Sequence, residues 1–344
     1  MVNVIIHSSC LNKPISGIGR YTSNLLDVMA RQDRSVKFYL DQKPASHFGY
    51  LLDHPNIQCA AGTKMGHLDV YWGPSHKLPF FCHRELKKVL TVHDIVAIKW
   101  RETMSLKGYL SSRVHFTRSI KKASKLVCVS EATANDLVGH FPNLIDKINI
   151  VHPFSFPLKV KYKKIYDFPF VLFVGTFEPR KNIGRLIAAF SMFKKMCPSP
   201  LKLVLAGGSG WGGVDVYSLI ELHGLQEEVF VQESPDDILL HSLYKFCEFL
   251  IYPSLYEGFG IPILESLHHG KPVITSNSSA MPEAAGKAGY YVNPNSVDDI
   301  ASAISTVFFD QKLRERLSGN ARRQAKKYDH IQIANAMIGV LTKF

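Results

Sequence analysis

Two glutamates, Glu257 and Glu265, flank a glycine-rich turn in the stretch IYPSLYEGFGIPILESLHHGKPVI, which runs from Ile251 to Ile274. The order of residue types predicts strand, loop, short helix, stop and strand. The apolar run through Leu250, Ile251 and Tyr252 is broken by Pro253 and Ser254, and Gly258 and Gly260 bracket Phe259 where positive φ costs little. Pro262 suits a first helical turn, and Gly270 with Pro272 beyond it forms a stop. A helix N-terminus fed by such a loop attracts anions, because free N–H groups and the helix dipole point the same way. Acids beside it make sense if the anion belongs to a larger ligand whose hydroxyls the carboxylates accept. A nucleotide sugar is a ligand of that kind. Without a ligand, Glu265 reads as a dipole-stabilising acid and Glu257 as a solvated turn residue. The pair alone leaves both readings open.

The elements that must position these groups form an alternating pattern. Asn3–Ile6 reads as a first strand, followed by a loop carrying Gly17 and Gly19 and an amphipathic helix from Tyr21 to Ala30. Further strands are expected at Val36–Leu40, Leu68–Trp72, Val89–His93, Leu126–Val129 and Ile148–His152. His93-Asp94 and Ser130-Glu131 then fall at strand C-termini, the rim where open α/β sheets bind ligands. The segment PFSFPLKVKYKKIYDFP, rich in proline and lysine, reads as a linker. A second series starts at Phe170 with FVLFVGT, followed by EPRKN and a helix to Met196. Strands at Leu201–Ala206, Val229–Gln232, Phe249–Tyr252, Val273–Thr275 and Tyr290–Val292 alternate with helices, and three helices close the chain. Apolar strands alternating with helices mean parallel sheets covered on both faces. The expected architecture is α/β, two doubly wound Rossmann-like domains facing a central cleft. The expected bounds are 1–155, a linker at 156–169, a second domain at 170–327, and a terminal helix at 328–344 that can cross back to the first domain.

With 344 residues, an ordinary soluble composition and no apolar run long enough to span a bilayer, the chain is expected to be cytoplasmic. Six scattered cysteines without a C-x-x-C pair argue against a disulfide framework or a zinc site. None of the fifteen histidines is ligand-spaced, and His268-His269 reads as helix surface. The net charge of +12 fits a polyanionic partner, but the aromatic signature of RNA-binding modules is missing, so no nucleic-acid partner is expected. A helix expected from Leu106 to Lys125 carries Lys107, Arg113, Arg118, Lys121, Lys122 and Lys125 among Leu110, Val114, Phe116 and Ile120. It reads as a solvated basic face or as an interfacial helix against anionic lipid.

In their order along the chain, VGTFEPRKN, LAGGSGWG, YPSLYEGFGIPILES, GKPVITSN and PEAAGKAGYYVNP closely resemble the C-terminal half of the group 1 (family 4) glycosyltransferases. SGIGRYTSNLL, TVHDI and VCVSEAT resemble the N-terminal half of its mannosyltransferase-like branch. The resemblance implies the GT-B fold and transfer of a hexose from a nucleotide diphosphate sugar with retention, without a metal or other cofactor. It implies that Arg180 and Lys181 bind the donor diphosphate, that Glu257 contacts the donor sugar and that Glu265 holds the ribose hydroxyls. It places Phe259 and Gly260 at the phosphates, Gly17 with Gly19 in a loop closing over the diphosphate, and His93 beside an outer sugar hydroxyl. Gly208 and Gln232 fall near the base. GDP-mannose is the first expectation for the donor, with other GDP- or UDP-hexoses behind it. The acceptor is expected to be a glycan or a lipid-linked glycan, in polysaccharide or lipopolysaccharide biosynthesis, with peripheral contact to an anionic membrane. Two departures stand out: His152-Pro153-Phe154-Ser155 replaces the usual P-N-G-V-D, and Tyr328-Asp329-His330 replaces an aromatic motif near the last helix. A nucleotide-sugar binder without turnover, an epimerase and a phosphorylase are the alternatives.

Overall fold

The structure is a computed structural model that describes residues 2–13, 16–60, 67–79, 86–99, 106–158, 160–210 and 212–344, with side chains from 109 onward in the fifth of these segments. Cys82, Trp211 and the Lys107 side chain, all singled out in the sequence, lie outside the described residues. The chain divides into two compact units, one of Met1–Phe154 with Tyr328–Phe344 and one of Ser155–Lys327.

The first unit is built on strands β1 (Val2–Ile6), β2 (Val36–Leu40), β3 (Ile57–Cys59), β4 (Val70–Gly73), β5 (Lys87–Val92), β6 (Lys125–Cys128) and β7 (Ile148–Ile150). They form one sheet in the order β3-β2-β1-β4-β5-β6-β7, and every pairing is parallel. Its helices are α1 (Gly17–Gln32), α2 (Val96–Lys99), α3 (Leu106–Lys122) and α4 (Glu131–His140). Val4, Ile6, Trp72, Leu90, Val92 and Leu126 are fully buried, as expected for strands covered on both faces.

Several boundaries differ from the sequence reading. Helix α1 starts at Gly17, so Gly17 and Gly19 lie in its first turn and not in the preceding loop. The Ser16 side chain caps it by accepting from the Gly19 amide at 3.1 Å, and this cap starts the helix despite the glycines. Lys125 does not belong to the basic helix. Helix α3 ends at Lys122, and Lys125 opens β6, where it pairs with Val89. The short edge strand β3 was not anticipated.

The second unit holds β8 (Phe170–Val174), α5 (Ile183–Met196), β9 (Lys202–Gly207), α6 (Val216–Leu222), β10 (Val229–Glu233), α7 (Asp237–Phe246) and β11 (Phe249–Tyr252). It continues with α8 (Ile261–His268), β12 (Val273–Ser276), α9 (Met281–Ala285), β13 (Gly289–Val292), α10 (Val297–Phe309) and α11 (Gln311–Ala325). Its all-parallel sheet runs β10-β9-β8-β11-β12-β13, with β8, β11 and β12 buried along their whole length. The order reverses between β8 and β11, the switch point at which open sheets leave a crevice at the strand C-termini.

The last helix, α12 (His330–Thr342), packs on α1. The Lys125 ammonium donates to the carbonyls of Val340 and Lys343 and lies 4.4 Å from the centre of the Phe344 ring. The two departures from the family pattern meet here. The His152 ring contacts Tyr328 edge-on at 5.5 Å, and Phe154 contacts His330 at 6.0 Å. No helix among the described residues is long and apolar enough to cross a membrane.

Candidate active site

At the switch point of the second unit, loop geometry brings a cluster of charges together. Beyond β8 the chain passes through Gly175 at φ +153°. A side chain on Gly207, across from it, would place its Cβ 1.9 Å from the Gly175 carbonyl oxygen, so the loops after β8 and β9 touch backbone to backbone. The Phe177 amide then donates to the Gly208 carbonyl at 2.8 Å. Pro179–Lys181 forms a single 3-10 turn, and Asn182 sits in the left-handed region at φ +63°. The buried Asn182 amide group donates to the carbonyls of Pro253 (3.0 Å) and Pro294 (2.6 Å), tying the start of α5 to the loops after β11 and β13.

This frame holds Arg180 and Lys181 against Glu257. Lys181 Nζ donates to Glu257 Oε1 at 2.7 Å and to Tyr252 Oη at 2.6 Å, and Tyr252 Oη donates in turn to Glu257 Oε1 at 2.9 Å. Arg180 Nη1 lies 2.7 Å from Glu257 Oε2 and donates to the Tyr256 carbonyl at 2.7 Å, while Nη2 donates to Glu178 Oε1 at 2.5 Å. The Ser279 hydroxyl grips the Glu257 backbone, accepting from its N–H and donating to its carbonyl. All four charged groups are largely withdrawn from water. Burial pushes the Glu257 carboxyl up, but the adjacent Lys181 and Arg180 outweigh it and hold the group at about 2. Burial also lowers Lys181, with Arg180 adding to it and Glu257 only partly compensating, since one carboxylate serves two cations. Arg180 is opposed by burial but raised by Glu257, Tyr252 and Glu178. This quartet pairs two basic side chains with two acidic ones, a balanced set in direct contact.

Beside the quartet, Gly260 caps α8 at φ +107°, and Pro262 occupies the first turn. Gly258 does not share the positive φ expected of it. Phe259 is buried. Glu265 lies on the fifth residue of α8, where its Oε2 accepts from the hydroxyl of the fully buried Tyr244 of α7 at 2.8 Å. His269 is not free helix surface as the sequence suggested. Its ring stacks on Tyr244 at 5.9 Å and hydrogen-bonds His241 at 2.9 Å, and burial with His241 and nearby cations lowers it to about 3. Gly208 faces Ser234, whose Oγ would lie 2.9 Å from an added Cβ. The side-chain amide of Gln232 donates to the Tyr166 hydroxyl.

Three candidates lie in the first unit. An added Cβ on Gly17 meets nothing within 4 Å, whereas on Gly19 it would meet the Cys10 carbonyl oxygen at 3.1 Å. His93 follows β5 and donates from Nε2 to the Pro74 carbonyl at 2.7 Å, with the Tyr21 ring edge-on at 4.8 Å. Burial, together with His76, lowers His93 to about 4, so the ring is neutral at pH 7 and offers Nδ1 as an acceptor. Ser130, also placed at the rim, is the N-cap of α4.

Glu178, Tyr252, Asn182 and Tyr244 were not anticipated as parts of the site. Glu178 stands two residues before Arg180, and its sequence position alone carried a signal. The other three become legible only when the loops are assembled.

Residues 157–324 match the family model described as glycosyl transferases group 1. The chain is 29% identical to O-antigen chain mannosyltransferase B of Escherichia coli, covering 95% of this chain and 96% of that protein. It is 26% identical over 84% of its length to the serotype-specific mannosyltransferase WbdA of the same species, spanning 37% of that longer protein. Among solved structures, Anabaena Alr3699/HepE in complex with UDP and glucose superposes with a TM-score of 0.76 at 17% identity, each chain covered fully. WaaG, a glycosyltransferase involved in lipopolysaccharide biosynthesis, superposes over the full length of both chains at 0.73 and 16%. The fold is GT-B.

Proposed function

We propose that the chain, whose residues 157–324 match the group 1 glycosyl transferase model, is a transferase of that kind and moves mannose from GDP-mannose to a glycan or lipid-linked acceptor with retention. The observation that carries the reading is the buried quartet beside the α8 N-terminus. Arg180 and Lys181, held in place by Glu257 and Glu178, stand with the positive end of the α8 dipole where a donor diphosphate would lie and where charge grows as the glycosidic bond breaks. Glu257 fixes both cations beside the donor sugar, while Glu265, held by Tyr244, addresses the ribose. Phe259 and Gly260 lie at the phosphates, and Gly208 and Gln232 flank the base. In the first unit, the family resemblance assigns Gly17 and Gly19 at the start of α1 to a diphosphate and the neutral His93 to an outer sugar hydroxyl. With the leaving phosphate so stabilised, its own oxygen takes the acceptor's proton on the same face, which gives retention.

The mannosyl choice rests on the relatives' names, so the donor panel decides it. Release of nucleoside diphosphate is measured with GDP-mannose, other GDP-hexoses and UDP-hexoses, with and without a mannan-derived acceptor pool. Acceptor-dependent GDP release and an α-linked product are expected. Binding without release would instead support the non-catalytic alternative.

Peripheral membrane contact belongs to the same proposal. Leu110 and Val114, 51% and 62% exposed, line a surface cavity of about 660 Å³ with Arg113, Arg118, Lys121 and Lys122, while Phe116 and Ile120 face the core. This is the amphipathic composition that favours an anionic interface. Sedimentation with phosphatidylglycerol vesicles should fall as salt rises. No binding at low salt would remove the membrane from the proposal.

A further inference from the structure

The first unit carries a polar constellation that the donor chemistry does not use. Strands β1 and β2 are neighbours, and His7 and Asp41 follow their C-terminal ends. His7 Nδ1 lies 2.9 Å from Asp41 Oδ2, and the Ser9 hydroxyl lies 3.1 Å from His7 Nε2. The carboxylate is fully engaged. Its Oδ1 accepts from the Ser8 amide (2.8 Å) and the Ser8 hydroxyl (2.9 Å), and its Oδ2 accepts from the Tyr71 hydroxyl at 3.1 Å. Burial opposes its ionisation, but the hydrogen bonds from His7 and Ser8 prevail and keep Asp41 below the usual carboxylate range.

An ionised Asp41 next to Nδ1 keeps the proton on that nitrogen, so Nε2 presents a lone pair toward Ser9. The order Asp41, His7, Ser9 has the connectivity of a hydrolytic triad. A half-exposed serine hydroxyl on an oriented imidazole is also a chemical stand-in for another hydroxyl. The side chains of His7 and Asp41 are 19% and 21% exposed, at the rim where parallel sheets receive ligands. Asn12 and Gln42, hydrogen-bonded to each other at the surface, border the group, and Gln42 donates its amide N–H to Ser8 Oγ at 2.9 Å. A neutral, polyhydroxylated ligand suits this lining better than an anion, since Asp41 would repel one.

We propose that His7, oriented by Asp41, is a binding subsite for a sugar hydroxyl of the acceptor glycan, at the place the Ser9 hydroxyl marks. The inference rests on the glycosyl transfer reading for the word acceptor, but its test is a binding measurement that needs no turnover. His7 would touch the acceptor, and Asp41 is a positioning residue.

The probe is α-linked mannotriose, its dissociation constant measured by ligand-observed NMR on the full chain, with nucleoside diphosphate affinity measured in parallel. His7→Gln should weaken mannotriose binding roughly tenfold, the scale of one lost oriented hydrogen bond, with nucleotide affinity unchanged. Ser9→Val, which caps Nε2 with methyl groups and leaves the Asp41 cage in place, should do the same even if His7→Gln folds poorly. Ser9→Ala, which uncovers Nε2, should bind within about twofold of the native chain. Equal mannotriose affinity in all four proteins, or no binding by the native chain at tens of millimolar, overturns the subsite. So does covalent labelling of Ser9 by a fluorophosphonate, which would make the serine a nucleophile. Failure of the donor panel to release nucleoside diphosphate would sink the transferase reading and leave this measurement intact.

Discussion

Replacing Glu257 by glutamine keeps the shape of the side chain and removes the charge that two buried cations share. The shift of the Glu257 carboxyl from an ordinary 4.5 to about 2 corresponds to about 3 kcal/mol of preferential stabilisation of the ionised form in the folded chain. Breaking a buried ion pair from one side costs about 3–5 kcal/mol by mutational experience, the same scale. For a domain of this size each kcal/mol moves the melting temperature by about 2–4 °C, so Glu257→Gln should melt roughly 10 °C lower at pH 7. The pH dependence has a definite sign. A folded-state value depressed below the unfolded one contributes fully above about 4.5 and is lost as pH falls toward 2, so the gap between native and variant should close across that window. Arg180 and Lys181, left in excess, should accept an external anion more strongly. Pyrophosphate at a fixed concentration should therefore raise the melting temperature of Glu257→Gln more than that of the native chain. A variant that melts within 2 °C of the native chain, or that pyrophosphate stabilises no more than the native chain, would refute the charge balance assigned to the quartet.

Lys181→Ala should cut turnover on the order of a hundredfold or more at saturating substrate while circular dichroism stays native, and near-native rates would remove Lys181 from the chemistry. His269→Gln should flatten the decline of stability with acid. The folded His269 lies near 3, so its contribution is complete above about 6.5 and is lost as pH falls toward 3, which urea unfolding at stepped pH will measure. Gly207→Ala should destabilise by about 3 kcal/mol or more, because its Cβ would meet backbone at 1.9 Å, and an unchanged denaturation midpoint would contradict that packing. EDTA should leave most of the transfer activity, and a loss restored by Mn²⁺ would assign the phosphate to other groups.

What the sequence made legible was local. FVLFV is a continuous apolar run that only a doubly covered strand tolerates, and the turn with Gly260 and Pro262 names its own helix start. Arg180, Lys181 and Glu257 stood out by type and position. Their pairing did not, because Tyr252 and Glu257 lie far along the chain from Arg180 and Lys181, and the loops that carry them are joined by the Asn182 ties and by the Leu255 amide on the Arg180 carbonyl. Two glycines in a row of three suggest a loop, whereas the Ser16 cap starts a helix there and the close Cys10 carbonyl explains the small residue at Gly19. The basic run hid the end of α3, since lysine suits both a last helical turn and a strand edge. Adjacent histidines carry no mark of the aromatic pocket that Tyr244 and His241 build around His269.

The aromatic contacts of His152 with Tyr328 and of Phe154 with His330 have a consequence for synthesis. Ser155–Lys327 is one uninterrupted stretch and can fold as soon as it leaves the ribosome, whereas the unit that begins the chain needs α12 against α1 and Lys125. The half made first is therefore finished last. Until residues 328–344 emerge, the apolar face of α1 that α12 covers stays open, and a nascent chain stalled before Tyr328 would expose that face with Ser155–Lys327 already complete.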